Sequence, residues 1–423
     1  MPLQTSPGRL GSTRPASGRK NLPLKGDWGG SKMEWPHDSM QSDPMKARQT
    51  EIRQSDRNAW TRAVVQPRPE VMALEADAHG GLDPVELARL GLRPEDVLDF
   101  SVNTNAYGPP PGVAQALAAV DVTRYPDRRA TALRRAIAAR EGITAEQVLI
   151  GNGTAQLIWL AAMAYLRPGD RVLIIGPTFG EYRVASQLMG AEVTVWRANP
   201  VHDFAPDPDD LARALAIGSP RLVWLCNPNN PTGIYLPLDA LRRLRTAAPG
   251  ALWIIDEAYR PFVAEPWPSS PLIEEGNVLL LRSLTKDGAL PGLRLGYALA
   301  APPIIEALAR VQPPWSVNAM AQVAGLAVLD GGDHIARAIA ALRRDTAALR
   351  EALIAQGWRV LPTATHFFLV EVGDAKALCQ RLLHEHHIQV RDCTSFGLPQ
   401  FIRIATRRPE ENARLVAAMR LVE

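Results

Sequence analysis

The sequence predicts an α/β fold: a mostly parallel sheet covered by helices, then a smaller C-terminal α+β domain, all preceded by a disordered N-terminal extension. Three observations carry this expectation. Between residues 148 and 281, near-continuous apolar runs alternate with helical patterns, as they do when strands are buried on both faces. After Pro302-Pro303, shorter strand patterns fall between amphipathic helices, which marks a second domain. Residues 1–70, rich in Gly, Pro, Ser, Arg and Lys, sustain no period of 3.6 or 2, so they bury too little apolar area to offset the entropy of ordering.

A chain of 423 residues exceeds one compact core. The expected division is a disordered extension over 1–70, an arm packing on the small domain over 71–115, a large domain over 116–310 and a small domain over 311–423. Hydrophobic residues make up 46% and charged residues 22%, the balance of a globular protein. No apolar run approaches the ~18 residues that span a bilayer, which argues against a membrane role. The first seventy residues hold twelve Lys and Arg against seven Asp and Glu, whereas the whole chain is only +3. Basic character is therefore confined to the extension and does not argue for nucleic acid. Cys226, Cys379 and Cys393 form no C-x-x-C, which points to reduced packing thiols and a cytoplasmic setting. The extension faintly resembles a transit peptide, but Met33, Met40, Met45 and Met72 all precede the first motif; a later start, or plain disorder, is the preferred reading.

His79-Gly-Gly81 opens the ordered chain, with a helix from Pro84 to Gly91 and an extended stretch from Val97 to Asn105 closed by Tyr107-Gly-Pro-Pro-Pro111. A helix follows from Thr131 to Arg140. Val148-Leu-Ile150 then runs into Gly151-Asn-Gly-Thr154 and an apolar helix through Tyr165, so free backbone N–H groups and a positive dipole end suit a phosphate there. Strands at 171–176, 192–196, 221–225, 251–255 and 277–281 alternate with helices at 181–189, 209–216 and 238–247. Helices at 304–311, 317–329, 335–356, 374–386 and 409–420 and strands at 358–361, 366–371 and 400–405 complete the chain. His384, His386 and His387 lack a supporting carboxylate pair and read as a solvated helix end rather than a zinc site.

Chemistry concentrates in Arg282-Ser-Leu-Thr-Lys286, which follows an apolar strand and precedes Pro291-Gly-Leu-Arg-Leu-Gly296. A lysine among hydroxyls and glycines is placed as a nucleophile for a carbonyl carbon. Cys226-Asn-Pro-Asn-Asn-Pro-Thr-Gly233 and Ile254-Ile-Asp-Glu-Ala-Tyr259 accompany it in order, and the three elements together are specific. Asn230, Asp256 and Lys286 all fall beyond the carboxyl ends of strands, where open α/β sheets bind ligands.

Over about residues 72–423 these motifs resemble the fold type I pyridoxal-phosphate enzymes, the class I/II aminotransferase superfamily. The resemblance implies a mostly parallel seven-stranded sheet and pyridoxal 5'-phosphate as cofactor. By the same resemblance Lys286 is the catalytic lysine, Asp256 faces the pyridine nitrogen, Asn230 and Tyr259 bond the ring 3-oxygen, and Phe179 stacks on the ring. Gly153, Thr154, Ser283, Thr285 and Arg294 would hold the phosphate. Tyr125 would reach the cofactor phosphate of a neighbouring subunit, which implies a homodimer, and Arg403 would clamp the carboxylate of a small anionic amino-acid substrate.

Within the superfamily, His79-Gly-Gly81, Asp99-Phe-Ser-Val-Asn-Thr-Asn105, Gln312-Pro-Pro-Trp-Ser-Val-Asn318, Val390-Arg-Asp-Cys393 and Pro409-Glu-Glu-Asn412 resemble threonine-phosphate decarboxylase of cobalamin biosynthesis more than histidinol-phosphate aminotransferase. By that likeness His79, Gly80, Asn105 and Arg391 line the substrate phosphate site. The expected activity is decarboxylation of L-threonine O-3-phosphate, with a histidinol-phosphate-type or other aminotransferase as the alternative. Which bond at Cα breaks depends on pose, which the sequence leaves open. Leu82, Ala106, Gln156, Asp287-Gly288 and a shortened loop between Arg391 and Arg403 depart from the decarboxylase pattern. A transcription regulator is disfavoured because residues 1–70 are too poor in apolar periodicity and too rich in Pro and Gly for a winged helix. A nicotinamide oxidoreductase is disfavoured because no strand leads into G-x-G-x-x-G with a later acid.

Overall fold

The computed structural model describes residues 65–74 and 80–422. The chain divides into Met1–Gln66 and Pro67–Glu423, and the second unit is described below. The expected disorder of the extension, through residue 64, and the role of His79 lie outside the described residues. A single helical turn, Pro69–Met72, straddles the expected boundary at residue 70.

Strand β1 (Leu98–Asp99) is only two residues of the extended arm, and it pairs in parallel with Ile388–Gln389. The sheet that matters for chemistry comprises β2 (Val148–Asn152), β3 (Arg171–Gly176), β4 (Glu192–Arg197), β5 (Leu222–Cys226), β6 (Leu252–Asp256), β7 (Val278–Ser283) and β8 (Leu295–Ala300). These seven strands run in the order β2-β8-β7-β6-β5-β3-β4, as the resemblance implied. Strands β3 to β7 are mutually parallel, whereas β8 runs antiparallel to both of its neighbours. Every residue of β5, β6, β7 and β8 is buried, which is why those segments read as unbroken apolar runs; only the edge strand β4 alternates.

The sequence patterns did not indicate β8, nor the helix Gly112–Ala118. Strand β8 is small-residue rich for a reason: a Cβ on Gly296 would stand 2.7 Å from the Thr154 N and 3.0 Å from the Arg282 carbonyl oxygen. Close passage of backbones replaces the β-branched side chains that usually mark a strand.

A second, four-stranded antiparallel sheet runs in the order β12-β13-β10-β9, built from β9 (Arg359–Val360), β10 (Phe367–Glu371), β12 (Arg391–Asp392) and β13 (Phe401–Ala405). The two-residue strand Ile388–Gln389, paired with β1, is β11. The apolar cluster of the large sheet extends past residue 310, because Ala321, Ala324 and Val328 of helix Ala319–Asp330 belong to it. Helix Gly332–Ala355 spans both clusters: Ile335, Ile339 and Leu342 pack with the large sheet, Leu349 and Leu353 with the small one. A boundary at 310/311 therefore cuts through a shared core.

Behind the carboxyl ends of β6 and β7, Arg282 Nε bonds Glu257 at 2.9 Å and its Nη1 lies 2.5 Å from Glu141. Ser269 donates to Glu257 at 2.8 Å and accepts from Arg282 at 2.8 Å. Such buried charges persist only where each is paired and hydrogen-bonded, so the cluster locks the register of the two strand ends that carry Asp256 and Ser283. Among the described residues no helix is long and apolar enough to cross a membrane.

Candidate functional site

The carboxyl ends of β5, β6 and β7 open into a cavity of about 110 Å³ lined by Gly153, Thr154, Phe179, Asn230, Asp256, Tyr259, Ser283, Thr285, Lys286 and Arg294. Ten of the eleven residues expected to hold the cofactor thus converge from six separate segments. Each arrives by the local logic of an α/β sheet: β6 ends on Asp256, β7 ends on Ser283, and the loops beyond β5 and β7 deliver Asn230 and Lys286.

The Lys286 amino group stands 5.7 Å from the centroid of the Tyr259 ring. Ser283 and Thr285 hydroxyls are 2.8 Å apart, and the Thr285 N–H donates to Ser283 Oγ at 3.2 Å. Helix Gly153–Tyr165 begins at Gly153 with φ +75°, and a Cβ there would stand 2.8 Å from Nη2 of Arg294. Glycine is favoured at that position by its left-handed backbone, and the Arg294 guanidinium packs against it. Helix N–H groups, two hydroxyls and one guanidinium make a cradle for a phosphate.

Asp256 accepts from the Tyr182 hydroxyl at 2.8 Å through Oδ2 and from the Ala258 N–H at 3.0 Å through Oδ1. Burial pushes its carboxyl above the ordinary value, and both donors act against that by stabilising the charged form. Each oxygen retains acceptor capacity for a protonated ring nitrogen. Phosphate cradle, ring-facing acid, aromatic wall and lysine are the donor set that pyridoxal phosphate requires. The residues fit that cofactor.

A second cavity of about 370 Å³ shares Ala155, Phe179, Asn230, Tyr259, Lys286 and Arg294 with the first, and adds Gly80, Ser101, Asn103, Glu181, Arg391, Phe396 and Arg403. Arg403 is 4% exposed. It donates to the Ser101 carbonyl at 2.6 Å and to Asn230 Oδ1, and its buried Nε has no partner. Antiparallel pairing of β12 and β13 sets Arg391 directly opposite Arg403, so the two side chains share a face despite the shortened loop. Burial pushes the Arg403 guanidinium below its usual value, and the Arg391 charge adds to the effect. Two buried cations on one wall favour an anion.

Two expected site residues stand elsewhere. Asn105 does not line either cavity: its side chain donates to the Asp287 carbonyl at 3.0 Å and accepts from the Tyr107 N–H at 2.9 Å, while its own N–H donates to the Lys286 carbonyl at 2.9 Å. It clamps the backbone that carries the lysine. Tyr125 is 80% exposed and stacks on Trp315 at 4.7 Å, apart from both cavities. The arm asparagine that lines the second cavity is Asn103, 2% exposed with neither amide atom partnered. Alternation along an extended arm puts 103 and 105 on one face, so spacing does not separate them, and the resemblance pointed to Asn105.

Tyr182 and His366 were also not singled out, and Cys226 was read only as a packing thiol. Tyr182 and Cys226 line the cofactor cavity. Spacing offered a signal for the first, since Tyr182 falls three residues after Phe179 at the start of a helix. His366 is buried against Phe262 with ring centroids 3.8 Å apart, and burial beside Lys286 and Arg403 pushes its imidazole down to about 3. It is therefore neutral at physiological pH. Among the described residues no group of three His, Cys, Asp or Glu could hold a metal ion.

Asp287, next to the lysine, is 5% exposed with an unpartnered Oδ1, and burial pushes its carboxyl up to about 6. Because the folded state holds this proton more tightly than the unfolded chain, stability falls as pH rises through the acid range, and the cost is complete above pH 6. Asp287→Asn is expected to stabilise the protein at pH 7.5 by up to ~3 kcal/mol and to make little difference near pH 4. Urea denaturation at the two pH values checks this, and equal effects at both would contradict the assignment.

The family model of aminotransferase class I and II matches residues 95–419. Histidinol-phosphate aminotransferase of Symbiobacterium thermophilum is 37% identical over 341 residues, 80% of this chain and 93% of that protein. That of Moorella thermoacetica is 35% identical over 345 residues, 80% of this chain and 88% of that protein. Among solved structures, histidinol-phosphate aminotransferase from Sinorhizobium meliloti in complex with pyridoxal-5'-phosphate shares the fold with a TM-score of 0.77 and 24% identity, over 86% of this chain and 98% of that one. L-threonine-O-3-phosphate decarboxylase from Porphyromonas gingivalis matches with a TM-score of 0.69 and 28% identity, over 77% of this chain and 99% of that one. With a family model spanning both sheets and the cavity between their loops, the chain belongs to the class I and II aminotransferases.

Proposed function

We propose that the protein is a pyridoxal-phosphate-dependent aminotransferase acting on a small phosphorylated amine of the histidinol-phosphate type. The observation that carries the reading is the wall formed by Arg391, Arg403 and the unpartnered Asn103, which adjoins Lys286 in one cavity. Two guanidinium forks match the oxygens of a phosphate or carboxylate, and the orphaned amide supplies the further hydrogen bonds a phosphate needs. When bound, the cofactor supplies a carbonyl carbon for amine exchange and a ring that withdraws electrons from the substrate carbon. Lys286 would take the proton from that carbon and return it, the role for which a half-buried amine on a fixed loop is suited. Phe179 and Tyr259 bound the cavity and limit water at the reacting atoms.

Motif resemblance alone favoured decarboxylation, whereas the curated relatives support transamination, since those reported above carry that name. Decarboxylation of L-threonine O-3-phosphate is the second reading, supported by the Porphyromonas gingivalis neighbour at 28% identity. Incubating the loaded protein with histidinol phosphate plus 2-oxoglutarate, and separately with threonine O-phosphate, decides between them. Glutamate formation in the first mixture is the expected result. Carbon dioxide from the second, without consumption of oxo acid, would select the decarboxylase instead. The exposed stack of Tyr125 on Trp315 supports a homodimer in which Tyr125 serves the partner's cofactor site.

A further inference from the structure

We infer that Tyr182 is a positioning residue for the cofactor: its phenol orients Asp256 and keeps that carboxylate charged toward the pyridine nitrogen. The inference rests on the cavity's taking pyridoxal phosphate and adds a residue that the motif resemblance does not assign.

Tyr182 is 0% exposed, and its hydroxyl reaches Asp256 Oδ2 at 2.8 Å. Its ring is fixed from both sides. It stacks on Trp224 with centroids 5.0 Å apart and planes 10° apart, and meets Phe179 edge-on at 5.7 Å and 82°. Ser186 ties the arrangement together, donating to the Tyr182 carbonyl at 2.7 Å and accepting from the Trp224 indole N–H at 3.1 Å. One side chain therefore touches both the acid expected under the ring nitrogen and the aromatic expected against the ring face.

The chemistry follows from what a buried carboxylate needs. Without a compensating donor, burial would drive Asp256 toward its neutral form, and a neutral acid no longer holds a proton on the ring nitrogen by charge. The Ala258 N–H fixes one oxygen, but backbone alone leaves the other free to rotate out of line. Tyr182 supplies the second point, and burial beside Asp256 and Cys226 pushes its own hydroxyl well above the usual tyrosine value, so it remains a donor. Its removal lets Asp256 protonate at higher pH.

The test measures loading of the apoprotein with pyridoxal 5'-phosphate by absorbance titration across pH 5.5 to 9, with no substrate present. Tyr182→Phe is expected to weaken cofactor affinity by roughly tenfold or more, the loss of one hydrogen bond to a charged group. The weakening should grow toward acid pH, with the acid limb of the binding profile moved upward by about one pH unit. Replacing Tyr182 with 3-fluorotyrosine, a stronger donor of nearly the same shape, should move that limb downward, and it decides the matter should Tyr182→Phe fail to fold. On an Asp256→Asn background the phenylalanine substitution should add no more than about twofold. A loss of affinity equal at every pH and undiminished in the Asp256→Asn background would reduce Tyr182 to packing and overturn the inference. Failure of the unaltered protein to take up the cofactor would instead overturn the reading on which the inference rests.

Discussion

Lys286→Ala is expected to lower turnover by about three to four orders of magnitude while leaving the fold intact. The amine lies in the cofactor cavity 5.7 Å from the Tyr259 ring centroid, on a loop whose backbone is clamped by Asn105. It is the side chain there with the nucleophilicity to engage a carbonyl carbon and the reach to carry a proton, and each role is worth about 10²- to 10⁴-fold. Alanine removes both at once. Two measurements check the assignment. Steady-state assays report the loss of turnover, and borohydride reduction of the loaded protein followed by peptide mass spectrometry should place the cofactor on Lys286. Full activity in the variant, or a label on another lysine, would refute the role.

Arg403→Lys is expected to reduce kcat/KM by roughly 10²- to 10³-fold, with a circular dichroism spectrum close to that of the unaltered protein. Truncating one partner of a buried, hydrogen-bonded ionic contact costs about 2–5 kcal/mol, and the effect here includes the loss of donors to Asn230 and Ser101 as well as to the anion of the proposed substrate. Lysine keeps the charge and loses the fork, so the experiment separates geometry from electrostatics. If charge alone mattered, the variant would be nearly neutral. Because Arg391 faces Arg403 across paired strands, the double variant should lose less than the product of the two single losses.

The alternation of buried strands and helices was legible because parallel strands covered on both faces must be apolar throughout, and β5, β6 and β7 are. Strand β8 was not legible, since its residues are chosen for close backbone passage beside Thr154 and Arg282, a demand that no local propensity records. The antiparallel direction of β8 likewise follows from its short connection to β7, which leaves no room for a crossover helix. At the candidate site, residues carried by contiguous motifs, such as Asp256, Tyr259, Ser283 and Lys286, were found at once. Tyr182 was not, because its partner Asp256 lies 74 residues away.

Asn103 and Asn105 show where the division falls. Both are arm asparagines at alternate positions; composition and spacing treat them alike, and the motif likeness selects Asn105. Packing separates them differently, by spending the amide of Asn105 on the Asp287 and Tyr107 backbone and leaving that of Asn103 unpartnered in the larger cavity. What the sequence determined by itself was the fold class and most of the groups that line the cavity at the strand ends, because those depend on local periodicity and on contiguous motifs that follow buried strands. What the tertiary structure decided was which polar groups remain available to a ligand, because hydrogen-bonding capacity is finite and is consumed by neighbours that the chain brings together only on folding.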